Sequence, residues 1–165
     1  MNNSRFFIFL VLVLLQIVVC KYLGISAWFV LSILPVVILF AKVEISTFAL
    51  MIIAALAGIA VDLLGDGLIG LNSFSLVLLS VFRGPILSRI MGQVNLPERG
   101  YVKYEAVPTA RLLLSIIVAE TIFFLPYVYL DGGFSAGVVF FSIRLLLSIF
   151  INLPLCFYAG LAICE

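Results

Sequence analysis

The chain has 165 residues, of which 65% are hydrophobic and 10% are charged, and its formal net charge is +1. Because soluble domains carry about a quarter of their residues as charged side chains, this composition excludes a soluble domain and predicts an integral membrane protein. The near-zero net charge gives no footprint for nucleic acid, and the lack of histidine excludes a Ser-His-Asp triad and a histidine-based zinc site.

The first two apolar runs each predict a membrane helix. Residues 6–19 follow Arg5 and are interpreted as the first span. A cleaved signal peptide is the alternative, but the run lacks an Ala-x-Ala site and has a bulky valine directly before Cys20. Residues 25–41 form the second run and contain Pro35, which a membrane helix tolerates when neighbouring groups satisfy the freed backbone.

The next two runs, residues 45–64 and the stretch that starts at residue 68, predict a helical hairpin. About twenty residues are enough to span a bilayer. The fourth run soon meets the sequence Arg-Gly-Pro at residues 83–85, so it is short unless its helix continues past the proline. Residues 83–111 are predicted to form a basic cytoplasmic loop, in which residues 86–91 make an amphipathic segment at the membrane interface.

The last two runs, residues 112–130 and 136–164, flank the turn Asp-Gly-Gly at residues 131–133. Six spans place both termini on one side of the membrane. The positive-inside rule assigns that side to the cytoplasm, because it then holds seven of the nine basic residues, namely Arg5, Lys42, Arg83, Arg89, Arg99, Lys103 and Arg111. The sequence therefore predicts an all-α polytopic bundle of about six transmembrane helices, with residues 1–165 as a single domain.

Acids and glycines gather between the third and fourth runs, in residues 58–72. If the third helix continues, spacings of three, four and three put four of its residues on one face: Ala55, Gly58, Asp62 and Gly65. Small residues let another backbone approach closely, and an ionisable group in a membrane points into the bundle or toward a wet cavity. We therefore predict a helix-packing or partner-contact motif that consists of Gly58, Asp62, Gly65, Gly70, Leu71 and Asn72.

Asp62 has two interpretations. It binds a neighbouring backbone or side chain at the outer end of its helix, or it contacts a partner protein. In both cases the helix is expected to break at residues 65–67, where Gly-Asp-Gly is a turn signal.

Glu120 and Arg144 are charged residues inside the last two runs, each twelve residues from Gly132. A symmetric hairpin would place both about 15 Å into the bilayer at about 1.5 Å per residue. Because a lone charge there costs roughly 2.5 to 3.5 kcal/mol, we predict that they form an intramembrane ion pair. A proton or ion relay in a transporter is the alternative.

The residues from 57 to 64, AGIAVDLL, are followed by Gly67, by Gly-Leu-Asn at residues 70–72 and by an apolar helix that contains serine. This arrangement resembles the signature of the rod shape-determining protein MreD family. The chain also matches that family's pattern at a first-helix glutamine, a second-helix proline and a fifth-helix acid, which here are Gln16, Pro35 and Glu120. With the length and the six-span layout, the resemblance covers nearly the whole chain.

The resemblance implies a non-enzymatic scaffold of the bacterial inner (cytoplasmic) membrane that helps maintain rod shape and direct lateral peptidoglycan synthesis. The implied direct partner is an MreC-like bitopic protein. The indirect partners are an MreB-like filament, a glycan polymerase and a class B penicillin-binding protein. The implied fold is similar to that of the substrate-binding subunits of vitamin-uptake transporters, with membrane lipid around it and no cofactor.

Two other functions remain open. A small-solute-binding subunit of a transporter would line an outward-opening pocket with Asp62, Asn72 and Gln16, although such pockets need several convergent polar groups. A membrane enzyme would need a paired nucleophile and base or two facing acids, which the sequence does not offer. Three cysteines are too far apart for a metal site and are interpreted as apolar helix residues: Cys20, Cys156 and Cys164.

Overall fold

The computed structural model of the chain describes residues 3–22, 28–66, 69–92, 97, 100–102, 107–133 and 137–164. Over these residues the chain forms six α-helices: α1 (Asn3–Tyr22), α2 (Leu34–Leu39), α3 (Thr47–Val61), α4 (Leu71–Ile86), α5 (Thr109–Val128) and α6 (Val138–Cys164). A wider, π-type turn follows three of them: Asp62–Asp66 after α3, Leu87–Gly92 after α4 and Tyr129–Gly133 after α5. The prediction of an all-helical protein is confirmed.

Four of these helices are long and apolar enough to cross a membrane, when the turns that follow them are included. They cover Thr47–Gly65, Leu71–Gly92, Thr109–Gly132 and Val138–Ile163. Helix α1 has 20 residues and is therefore about 30 Å long at about 1.5 Å per residue. Of the six predicted spans, α3, α4, α5 and α6 therefore have the length and composition of helices that cross a membrane.

Helix α2 corrects the prediction of one continuous helix over residues 25–41. Residues 29–33 have no regular secondary structure, and α2 has only six residues, with Pro35 in its first turn. Proline fits there because the N–H groups of a first helical turn have no partner within the helix. Pro35 therefore starts a short helix instead of lying inside a long one.

The non-helical residues and α2 together run alongside α6. The ring of Trp28 packs on that of Phe140, with 5.3 Å between ring centroids. At the other end, the Cε2 atom of Phe40 lies 3.1 Å from where a Cβ of Gly160 would stand. Twenty residues of helix separate Phe140 from Gly160, and they rise about 30 Å at about 1.5 Å per residue. Residues 28–40 reach the same height with fewer residues because half of them are not helical.

Helix α4 and its π-type turn correct the prediction of a loop from residue 83 to residue 111. Residues 83–92 are helical, and Arg111 lies in α5. Pro85 removes one N–H donor, but a membrane helix accommodates this loss with a local change of helix type, here the wider turn Leu87–Gly92. Leu87 and Met91 of that turn are buried, so they pack inside the protein instead of at the membrane interface.

Helix α5 is the most enclosed of the four long helices. In its most apolar window 56% of the residues are buried, against 28% for α3 and 17% for α6. Its C-terminal half carries an aromatic cluster in which Phe123 contacts both Phe124 and Tyr127, at centroid distances of 5.1 and 5.8 Å. A charged residue on the inner face of α5, such as Glu120, is therefore surrounded by protein.

Candidate functional site: the polar interior of the bundle

Asp62 is fully buried and binds the first turn of α4. Its carboxylate accepts hydrogen bonds from the backbone N–H groups of Gly70 (2.8 Å), Asn72 (3.0 Å) and Ser73 (3.3 Å). It also accepts from the side-chain amide of Asn72 (2.9 Å) and the hydroxyl of Ser73 (3.0 Å). The first N–H groups of a helix have no partner within it, and a negative charge is favourable at that end. Asp62 thus caps α4 from the neighbouring helix.

The backbone at Gly70 shows why this cap comes from elsewhere. Gly70 stands at the N-cap position of α4 and provides no side chain to bind the free N–H groups. Its φ of +105° lies in the left-handed region, which glycine adopts without the strain of a side chain. Gly70 therefore turns the chain into α4, and Asp62 provides the capping carboxylate.

Gly58 brings α3 and α4 to backbone contact one helical turn before Asp62. A Cβ at position 58 would lie 2.4 Å from the Cα and 2.5 Å from the N atom of Ser73. Such distances leave no room for any side chain. The small residue at position 58 therefore serves helix packing inside this chain.

The predicted motif is divided between the interior and its edge. Gly58, Asp62, Leu71 and Asn72 are buried, whereas Ala55, Gly65 and Gly70 are half-buried. The helical conformation continues to Asp66, two residues into the predicted break, and Gly67 lies outside the described residues. Asp62 therefore fits the interpretation in which it binds a neighbouring backbone and side chain.

Gln16 holds the unwound segment, a name used here for residues 28–33, from the side of α1. Its Nε2 donates to the carbonyl of Leu31 (2.9 Å), and its Oε1 accepts from the N–H of Ile33 (2.8 Å). One amide side chain thus replaces both backbone bonds that a helix would have supplied at these positions. Gln16 is 1% exposed, so water does not compete for them.

Two residues of α6 hold the unwound segment from the other side. Asn152 accepts from the N–H of Ser32 (2.8 Å) and donates to the carbonyl of Val30 (2.6 Å). Ser148 accepts from the N–H of Val30 (3.0 Å) through its hydroxyl. Irregular backbone at membrane depth is tolerated only where protein or water satisfies it. These two side chains and Gln16 meet that requirement.

Ser148 and Asn152 lie outside the motifs identified in the sequence. A signal for them exists, because three polar residues and a cysteine recur at every fourth position of α6, each of them buried: Arg144, Ser148, Asn152 and Cys156. Residues four apart lie on one face of a helix. A polar stripe on an otherwise apolar helix indicates a neighbour whose backbone needs hydrogen-bond partners.

Arg83 performs the same task at the other end of α2. Its guanidinium donates to the carbonyl oxygens of Leu39 (2.9 Å) and Lys42 (3.2 Å) and also to that of Ala41. The last carbonyl groups of a helix have no partner within it, and Arg83 provides several donors in a fixed geometry. The residue that the sequence analysis counted as a loop cation is buried and supports the chain reversal after α2.

Arg144 forms its ion pair with Asp131, so the predicted pair between Arg144 and Glu120 is wrong. The connection between α5 and α6 is not symmetric, because helical backbone continues to Leu130 on one side while α6 begins only at Val138. Arg144 is therefore six residues from the start of its helix, whereas Glu120 lies deeper. Long arginine side chains also reach toward the membrane surface, where the half-buried Asp131 stands.

Glu120 is fully buried in α5, and among the described residues no nitrogen or oxygen donor binds either of its carboxyl oxygens. The thiol of Cys156 lies beside it. That thiol donates to the carbonyl of Ser32 (3.5 Å). The carboxyl of Glu120 is thus the buried acid that the fold itself does not use.

The described residues contain no group of three or more His, Cys, Asp or Glu side chains that could hold a metal ion. Comparisons of the chain with protein-family models, curated proteins and solved structures found no match. The candidate site therefore has to be interpreted from its own chemistry. Asp62, Gln16, Ser148 and Asn152 bind backbone, and Glu120 remains available for another role.

Proposed function

We propose that the chain is a non-enzymatic scaffold subunit of the bacterial cell-elongation complex in the inner (cytoplasmic) membrane. In this proposal it binds an MreC-like bitopic protein through membrane helices. It thereby helps maintain rod shape and direct lateral peptidoglycan synthesis, with indirect contact to an MreB-like filament, a glycan polymerase and a class B penicillin-binding protein. The related expectation, a fold like that of vitamin-transporter subunits, is part of the same proposal.

One observation carries the proposal: residues of the motif on which the resemblance depends act together at one place in the structure. Gly58, Asp62 and Asn72 are scattered along residues 58–72, yet they meet at one crossing of α3 and α4. Residues that matched the motif by chance would not be expected to stabilise the same contact between two helices. This coincidence supports the interpretation of the motif as a family feature whose role is to fix a helical hairpin.

The hydrogen bonds of the polar interior favour a scaffold over a small-solute-binding subunit. The alternative requires Asp62, Asn72 and Gln16 to present polar atoms to a ligand. These side chains instead bind the first turn of α4 and the unwound segment. Withdrawing a buried polar group from its partner costs about 1–3 kcal/mol. A ligand would have to compensate that loss at each of them.

The distribution of basic residues supports a cytoplasmic location for both termini. Lys42, at the end of α2, lies close to Arg83, and Arg89 and Arg111 stand at the end of α4 and the start of α5. These elements meet at one end of the bundle. Lys and Arg are enriched in cytoplasmic loops, so we assign that end to the cytoplasm.

The proposal is tested by crosslinking in native membranes. A photo-crosslinking amino acid is placed at position 56 of α3 or position 150 of α6, where the side chains are 63% and 73% exposed. The matched control is position 54, where the side chain is 0% exposed and no intermolecular crosslink is expected. Crosslinked partners are identified by mass spectrometry after purification of the tagged chain.

Recovery of a bitopic protein with a periplasmic coiled coil, from position 56 or 150 but not from position 54, is the expected result. Co-purification of wall-synthesis enzymes would extend it to the complex. Recovery of an ATP-binding-cassette pair, or of a tightly bound small molecule, would reject the scaffold and favour the transport alternative.

A further inference from the structure

The position of Glu120 places a carboxyl group deep in the membrane part of the bundle. Eight residues of α5 separate it from Val128 and eleven from Thr109, so it lies about 12 Å from the nearer helix end at about 1.5 Å per residue. An isolated ionised carboxylate is strongly disfavoured in such surroundings. A neutral carboxyl avoids that cost and gains an O–H donor.

The thiol of Cys156 connects this carboxyl to the unwound segment. It lies beside Glu120, and it donates its hydrogen to the carbonyl of Ser32, with 3.5 Å between the sulfur and the carbonyl oxygen. A thiol has one hydrogen, so it can donate to one of these two neighbours at a time. The sulfur itself remains a weak acceptor for an O–H group of Glu120.

We propose that Glu120 is a proton-binding site inside the membrane, and that the Cys156 thiol transmits its protonation state to the backbone at Ser32. With a proton bound, Glu120 donates its O–H to the sulfur, and the thiol donates to Ser32. When that proton leaves to solvent, the carboxylate attracts the thiol hydrogen away from the Ser32 carbonyl. No covalent bond other than the O–H bond of Glu120 is made or broken.

The charged groups of the neighbouring elements are engaged elsewhere. Helix α2 carries no ionisable side chain, and the Arg83 guanidinium of α4 binds backbone carbonyls near the end of α2. On α6, Arg144 pairs with Asp131 of the connecting turn. Exposed ionisable side chains on these elements are Arg89, Arg111, Tyr129 and Tyr158. The buried Tyr127 stands seven residues along α5 from Glu120, with its ring stacked on that of Phe123. Among the described residues, Cys156 is therefore the titratable neighbour of Glu120. The inference is independent of any partner of the chain.

The test is infrared spectroscopy of the full chain in lipid vesicles at neutral pH. The carbonyl stretch of a protonated carboxylic acid is expected in the native chain and is expected to disappear in Glu120→Gln, which keeps the shape of the side chain. Glu44→Gln alters an exposed acid and should leave this band unchanged. Cys156→Ala keeps the carboxyl and should shift the frequency of the band, because it removes the hydrogen-bond partner.

The thiol provides the second readout. Raising the pH until the carboxylic-acid band is lost should shift the S–H stretch in the native chain, whereas Glu120→Gln should show no such shift. The proposal would be overturned if the carboxylic-acid band were still present in Glu120→Gln. It would also be overturned if the S–H stretch of the native chain did not shift when that band is lost. Loss of the band on adding sodium at constant pH would also overturn it, because it would indicate a sodium site.

Discussion

Gly58 and Ser73 meet so closely that a Cβ on the glycine would lie 2.4 Å from the Cα of the serine. One helical turn later, the carboxylate of Asp62 accepts hydrogen bonds from both the N–H and the hydroxyl of the same serine. The absence of a side chain at position 58 and the cap at position 62 therefore depend on each other. If the helices separate, the carboxylate no longer reaches α4.

Gly58→Ala is expected to destabilise the bundle at least as much as typical overpacking, about 1–3 kcal/mol, because the added methyl group meets backbone instead of a flexible side chain. Gly84→Ala is the control, since nothing lies within 4 Å of a Cβ at that helical position. It should be neutral or slightly stabilising. Thermal unfolding in detergent measures both, and equal effects would show that the close approach of α3 and α4 is not required.

Asp62→Asn should weaken the cap of α4 although the side chain keeps its size. An amide replaces one acceptor oxygen by an NH₂ group, and both carboxylate oxygens now accept from donors. At least one buried donor would lose its acceptor, at a cost of about 1–3 kcal/mol. Hydrogen exchange of the first turn of α4 is the measurement.

The control for Asp62 is Glu44→Gln, because Glu44 is exposed and its carboxylate accepts a hydrogen bond from the N–H of Gly100 (3.1 Å). It should leave the exchange at α4 unchanged. Unaltered protection of residues 70–73 in Asp62→Asn would contradict the capping role.

Ser148→Ala should increase hydrogen exchange in the unwound segment, since the N–H of Val30 loses its hydroxyl acceptor. We expect a loss of stability of about 1–3 kcal/mol, the cost of an unsatisfied buried donor. Ser142→Ala makes the same chemical change in the same helix, but the Ser142 hydroxyl is exposed and donates to the carbonyl of Val138 within its own helix. If hydrogen exchange in the unwound segment is the same in both variants, Ser148 does not support that segment.

A double-mutant cycle separates the true partner of Arg144 from the one expected from sequence. Asp131→Asn and Arg144→Gln should couple by about 0.5–3 kcal/mol, the range found for residues in contact, because either change alone strands a charge. Glu120→Gln and Arg144→Gln should be additive. Unfolding titrations of the three single and two double variants in mixed micelles give both coupling energies. Coupling in the second cycle alone would contradict the pairing in this structure.

Apolar runs predicted the positions of α1, α3, α5 and α6 because a span of lipid demands a run of apolar residues whatever surrounds it. The same criterion failed for residues 25–41. Hydropathy measures the preference for an apolar environment and does not distinguish helical from non-helical backbone when both are buried. The groups that stabilise the non-helical backbone are Gln16, Ser148 and Asn152, and two of these are distant in sequence.

The charged sites divide in a similar way. Asp62 was identified because it stands beside glycines, and its partners at residues 70–73 follow closely along the chain. The predicted pair of Glu120 and Arg144 was wrong because it assumed that two residues equally far from Gly132 in sequence lie at the same depth. That assumption needs a symmetric connection, and the point at which each helix ends depends on packing. Arg83 was interpreted as a loop cation because the residues near it in sequence give no sign that it binds carbonyl groups of residues 39–42.

The hydrogen bonds between the unwound segment and α6 join residues 118 to 122 positions apart, which has a consequence for biosynthesis. Unsatisfied backbone groups cost several kcal/mol each in lipid. The segment therefore cannot settle in the bilayer while the ribosome is still making α3, α4 and α5. The membrane position of residues 28–33 is therefore completed only after Ser148 and Asn152 have left the translocation machinery.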